Sequence, residues 1–176
     1  MAEPARTGSS HIVVPRSGPP ADISELVMAD HRRIRRLSAA LDDAARWDGG
    51  SGSTLAHAWL RLAALLEVHA AAEEEICYLP MSRCRPDAAE DRQAAIADHD
   101  DIREAIKEAS LHQPGSGPWR RAVRAALVIN ADHLDREEHG LLTESLAGLS
   151  MAQRRELGRQ WRAFVAAWRL DTASRD

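Results

Sequence analysis

Lysine is nearly absent from this 176-residue chain: Lys107 is the only one, and the other cations are arginines. With a net charge of −4 and a pI near 6.1 there is no basic surplus for phosphate backbones, which excludes an ordinary nucleic-acid binder. Aromatics are also scarce, at 4% (five Trp, one Tyr, one Phe), so the core must be built from Ala, Leu, Ile and Val. Alanine leads the helix scale and is a poor strand former, which points to an all-α protein. Long apolar runs are missing too; none approaches the ~18 residues of a membrane span. The opening MAEPARTGSSHIVVPRSGPP has no charged start followed by an apolar segment, so a secretory signal is not expected. Two cysteines, Cys77 and Cys84, do not make a disulfide framework. The expectation is a cytoplasmic protein with no membrane and no nucleic-acid partner. What is abundant is histidine, with eight residues.

Residues 1–21 hold four of the eight prolines and read as a flexible tail. Residues 22–146 read as an up-down-up-down four-helix bundle, and 147–176 as an additional C-terminal helix and tail. The first helix opens at Asp22 with Glu25 three residues on, a capping-box pair, and stops at the glycines after Trp47. The second starts near Ser53 or Thr54 and is expected to end before Pro80. The third runs from Pro86-Asp87 to Gln113-Pro114-Gly115, and the fourth from Ser116 or Pro118 to about Leu146. A fifth opens at Ser150, with Gln153 as its capping-box partner, and carries Trp161, Phe164, Val165 and Trp168 at helical spacing. It is expected to pack on the bundle, with a homodimer contact as the alternative.

The bundle contains an internal echo. Ala29-Asp30-His31-Arg32-Arg33-Ile34-Arg35 matches Ala97-Asp98-His99-Asp100-Asp101-Ile102-Arg103 at five of seven positions. His69-x-x-x-Glu73-Glu74 likewise matches His133-x-x-x-Glu137-Glu138. Each half is thus a helix pair with one His on its first helix and His-x-x-x-Glu on its second. Residues four apart differ by ~40° around a helix, so His69 shares a face with Glu73, and His133 with Glu137. The apolar stripes run along the same faces: Val27, Ile34 and Leu41 around His31; Leu62, Leu65, Leu66 and Ile76 around His69 and Glu73; Ile96, Ile102 and Ile106 around His99; Ala126, Ile129 and Leu141 around His133 and Glu137. Four His and two Glu therefore point inward.

A buried carboxylate needs a counter-charge. No Arg or Lys sits squarely on these faces; Arg35 and Arg103, each four residues after a His, come closest. Metal cations are the natural alternative. Four imidazoles and two carboxylates suit two first-row transition ions with each Glu bridging, and carboxylate bridges favour iron or manganese over a structural zinc. The Glu-x-x-His pairs of ferritin-like bundles are missing, as are His-Glu-x-x-His and Gly-x-Ser-x-Gly. His11, His57, His112 and His139 lie at positions unsuited to the same site.

The order His, His-x-x-x-Glu, His, His-x-x-x-Glu from His31 to Glu137 resembles hemerythrin-like (HHE cation-binding) domains. The neighbouring Leu79-Pro80 and the doubled Glu73-Glu74 and Glu137-Glu138 add to the likeness. The resemblance implies a non-haem di-iron centre in a four-helix bundle, with His31 and His69 on one iron and His99 and His133 on the other. Glu73 and Glu137 would bridge, with an oxo or hydroxo oxygen as third bridge. Oxygen-carrying hemerythrins have a further His where this chain has Arg103, and place the last carboxylate five residues after its His, where this chain has Glu138; Glu137, at four, is the first choice here. Fewer His ligands leave an open position on each iron. That favours reaction with a small oxidant (H2O2, NO or O2) over reversible carriage, with peroxide removal or nitric-oxide handling as the leading functions, through a catalase/peroxidase-like or NO-reactive oxidoreductase activity. A non-enzymatic iron or oxygen sensor is the alternative. Cys77 and Tyr78 lie just after Glu73; a buried thiol is the expectation for Cys77, and a redox role for Tyr78 stays open. Asp30, Asp98 and Asp132 each precede a candidate His and are placed to serve a neighbouring helix or solvent.

Overall fold

The computed structural model describes residues 21–46, 51–84 and 88–173, and among these every regular element is helical. The helices are α1 (Ile23–Arg46), α2 (Gly52–Ala72), α3 (Tyr78–Cys84), α4 (Ala88–Ser110), α5 (Gly117–His139), α6 (Leu141–Ala147) and α7 (Met151–Ala173). A π-helical turn, Glu73–Cys77, joins α2 to α3, so 52–84 is one continuous rod, and α6 continues α5 after a break at Gly140. The result is the expected all-α helical bundle with an additional C-terminal helix. The tail at 1–20 and the expected start at Pro86-Asp87 lie outside the described residues.

Local chemistry sets most of the ends. Asp22 caps α1, its Oδ1 accepting from the Ser24 N–H at 2.9 Å. Ser51 and Ser116 cap α2 and α5 by accepting from Thr54 and Trp119. Ser150 and Gln153 form the reciprocal capping box expected for α7: Ser150 N–H donates to Gln153 Oε1 at 2.9 Å, and Gln153 N–H to Ser150 Oγ at 3.3 Å. Gly115, at φ +84°, supplies the left-handed residue between α4 and α5.

Two boundaries differ from expectation. The second rod does not stop before Pro80. The π turn resets the hydrogen-bond ladder, and Pro80 falls in the first turn of α3, where a missing N–H costs little. The fourth rod breaks at Gly140, and the register change puts Leu142 in the core.

The core has two apolar parts. One gathers Ile34, Leu41, Leu55, Leu62, Leu66, Ile102, Trp119, Val123 and Leu134. The other gathers Ile23, Val27, Ile76, Tyr78, Leu142, Leu157 and Trp161. On α1, His31 lies between Val27 of one part and Ile34 of the other; on the second rod His69 lies between Leu66 and Ile76. The polar site therefore separates two hydrophobic layers. Helix α7 packs on α1, α2 and the π turn, and Phe164 and Val165 touch both layers. Arg154 on α7 donates to Asp22 Oδ1 at 3.1 Å, joining the two chain ends of the bundle. Burial opposes ionisation of Asp22, but Arg154 and Ser24 hold its carboxyl below the usual 3.8.

Gly158 marks where α7 meets the start of α1. A Cβ there would collide with the Ala21 carbonyl oxygen, a backbone atom that cannot swing aside. Gly158→Ala is expected to destabilise the fold by about 1–3 kcal/mol despite alanine's better helix propensity. Urea unfolding of the two proteins measures this; an unchanged or raised midpoint would disprove the close approach.

Candidate metal centre

Each rod of the bundle contributes a turn of polar residues where the two apolar layers meet. α1 brings His31, α2 brings His69, the π turn begins with Glu73, α4 brings His99, and α5 brings His133 and Glu137. All six side chains are at most 3% exposed. All six inward candidates from the sequence thus converge.

Glu73 sits at the centre of the cluster. Its Oε1 lies 3.6 Å from His31 Nε2 and 3.3 Å from His69 Nε2, while its Oε2 lies 3.4 Å from His99 Nε2. Glu137 Oε2 lies 3.4 Å from both His31 Nε2 and His133 Nε2. His99 Nε2 and His133 Nε2 are 3.0 Å apart. Two overlapping groups result, each compact enough for one metal ion: His31, His69, Glu73 and Glu137, and Glu73, His99 and His133. Glu73 belongs to both. The inward atoms His31 Nε2, His69 Nε2, Glu73 Oε1 and Glu137 Oε2 are buried without a hydrogen-bond partner. Buried polar groups are rarely left so. Imidazole nitrogens and carboxylate oxygens that converge this closely are what a cation between them would satisfy.

Outside this cluster stands a ring of carboxylates. His31 Nδ1 lies 2.8 Å from Glu138 Oε1, His99 Nδ1 2.7 Å from Glu74 Oε1, and His133 Nδ1 3.3 Å from Asp98 Oδ2. An ionised carboxylate only accepts, so each Nδ1 carries the proton and Nε2 faces inward. Each carboxylate is held in turn by an arginine: Arg35 on Glu138 at 2.5 Å, Arg103 on Glu74 at 2.9 Å, and Arg136 on Asp98. The internal echo now has a physical sense. The His-x-x-x-Arg of each half closes on the second Glu of the other half, His31 and Arg35 on Glu138, His99 and Arg103 on Glu74. The two arginines therefore pair with the outer carboxylates and not with Glu73 or Glu137.

His69 is the exception. Its Nδ1 is buried without a partner, and the Trp161 ring from α7 packs edge-on against it, with centroids 5.6 Å apart. Burial pushes His69 down to about 3. Burial also opposes charge on His31 and His99, but the facing carboxylates of Glu137 and Glu73 raise His31 to about 10, and those of Glu73 and Glu74 raise His99 to about 9. Glu73 is held well below the usual carboxylate range, its burial outweighed by His69, His31 and His99. Without metal, protons on imidazole neutralise the buried carboxylates.

Tyr78 is the residue sequence reasoning undervalued. Five residues along an α-helix would turn it ~140° away from Glu73. The π turn closes one hydrogen-bonded turn in five residues, the Tyr78 N–H donating to the Glu73 carbonyl, and this brings the ring back toward Glu73's face. Its hydroxyl donates to Glu137 Oε1 at 2.7 Å and lies 3.4 Å from His99 Nε2. Burial, and then Glu73 and Glu137, push the phenol well above its usual value, so it stays a donor. Cys77 is buried, as expected, and burial likewise raises its thiol. Asp98 serves the neighbouring helix, whereas Asp132 is exposed. His57 is exposed, His112 binds Glu108, and His139 binds the Asp135 carbonyl, so none of these three joins the site.

The model of the hemerythrin HHE cation-binding domain matches residues 22–144, which span all six converging residues. The chain belongs to this family. No curated protein and no solved structure matches it. The HHE match stops before α7, so the wall that Trp161 places against His69 comes from outside the matched domain. No helix among the described residues is long and apolar enough to cross a membrane.

Proposed function

We propose that this HHE protein holds two iron ions and reacts with small oxidants, removing peroxide or handling nitric oxide. The observation that carries the reading is Glu73, which turns one oxygen toward His31 and His69 and the other toward His99, as a bridging carboxylate must. His31, His69, His99 and His133 would be the terminal ligands, and Glu137 the second bridge. Two irons held by these residues would supply a two-electron redox couple for a small oxidant.

The chain's own residues then have definite tasks. Glu138, Glu74 and Asp98 fix the tautomer and direction of three imidazoles, the usual work of carboxylates behind metal-bound His. Tyr78 holds Glu137 Oε1, leaving Oε2 to face His31 and His133. The apolar layers on both sides keep bulk water from the cluster. Arg103, standing where oxygen carriers have a further His, binds Glu74 and leaves the His99 side one donor short. A donor set smaller than the carriers' would favour reaction over reversible carriage.

Peroxide consumption by the iron-loaded protein tests the reading. An enzyme is expected to consume many equivalents of hydrogen peroxide, or of nitric oxide with a reductant, per chain. Consumption that stops at about one equivalent per site would leave only the sensor, since a stoichiometric reaction has no turnover.

A further inference from the structure

Access to the centre is uneven. A cavity of about 210 Å³ opens between α4 and α5 beside the Gly140 break. Ala94, Ala95, Asp98 and Arg136 line it, and so do two of the converging residues, His133 and Glu137. Glu137 Oε2 is one of the buried atoms without a partner. The groove of about 270 Å³ between α7 and the bundle ends on Trp161 and contains none of the six, and the cleft over α6 stops at Glu138, the outer partner of His31. The cavity therefore reaches the His133 side, while Trp161 shields the His69 side. Glu137, which lines the cavity, faces His133 Nε2 as closely as His31 Nε2, at 3.4 Å.

We propose that small exogenous molecules enter through the α4–α5 cavity and meet the centre on its His99–His133 side. This rests on the metal reading above. Two alanine side chains, Asp91 and the paired Asp98–Arg136 surround the mouth, and a volume of about 210 Å³ suits species of a few atoms and excludes larger substrates. Asp98 bonds both Arg136 at the mouth and His133 Nδ1 inside, so the entrance is tied to one of the imidazoles.

The test uses the iron-loaded full chain, azide as probe, and the visible absorbance change on azide binding as readout. Iron content and helical circular dichroism are measured first. Ala94 is exposed at the mouth, so Ala94→Trp fills the entrance without entering the core. It is expected to slow azide association by about tenfold or more, with Ala94→Leu intermediate and iron content unchanged. Ala166→Trp, which fills the α7 groove, is expected to leave the rate unchanged. Wild-type rates in both Ala94 variants, or slowing by Ala166→Trp instead, would overturn the route while leaving the iron reading intact. A wild-type chain that takes up no iron overturns both. If Ala94→Trp misfolds, the Ala94→Leu rate decides.

Discussion

Glu73→Ala is expected to empty the centre. Among the six converging residues Glu73 alone divides its two oxygens between the two groups, so its loss removes a donor from each ion at once. It also leaves His69 and His99 without the inward carboxylate they face, and leaves His31 with Glu137 alone. Metal analysis after desalting should fall from about two iron per chain, the content of a di-iron bundle, to a small fraction of that. His133→Ala should also lose most of the metal. Glu73→Gln keeps the volume and the buried packing but replaces a charged bridge with a neutral amide, so it should lose metal with the fold intact. That variant separates ligand loss from misfolding. Glu74→Gln and Asp98→Asn lie one step further out and are expected to weaken affinity by roughly 10–100-fold while still loading at saturating iron. Stoichiometric zinc without iron, or unchanged iron in Glu73→Gln, would refute the di-iron assignment.

The inward set was legible because it depends only on helical period. His31, His69, His99 and His133 share faces with apolar residues four or seven positions away, and each landed in the core. The outer ring was not legible. Glu74 and Glu138 stand ~100° from the preceding Glu and by local geometry read as surface residues. They meet His99 and His31 only because the helices of the two halves cross-pair, which no local period encodes. The repeated Arg four residues after His31 and His99 was the one available signal, since a duplicated cation beside a duplicated carboxylate implies a duplicated contact. Tyr78 was hidden for a different reason. Its position depends on the π turn, and an inserted residue in the hydrogen-bond ladder leaves no periodic mark in a stretch as short as Glu73–Cys77. Pro80 shortened the expected helix for the same reason: proline signals a stop only while the ladder is α-helical.

Stripping the metal is expected to lower the melting temperature without unfolding the chain. A ligand held at about a thousandfold over its dissociation constant stabilises the native state by about 4 kcal/mol per site. Two such sites add about 8 kcal/mol, and at roughly 2–4 °C per kcal/mol the Tm should fall by on the order of 15–30 °C when a chelator removes the iron. The metal-free chain should still fold, because its buried charges are already compensated. His31 and His99 hold protons against Glu73 and Glu137, and Tyr78 donates to Glu137. The two apolar layers do not need the ions in order to form. What the metal-free state lacks is partners for His69, whose two ring nitrogens are both buried without one, on α2 just before the π turn. Hydrogen exchange should therefore accelerate most around Glu73–Cys77, where the backbone ladder is already irregular. Calorimetry of the same preparation before and after chelation, with metal content measured in parallel, decides the matter. An unmoved Tm after verified metal loss would mean that the six residues are held by their own hydrogen bonds, and that the ions are not the counter-charge this core was built around. Complete loss of helix would mean the opposite error: that the apolar layers, poor in aromatics, cannot stand without the metals between them.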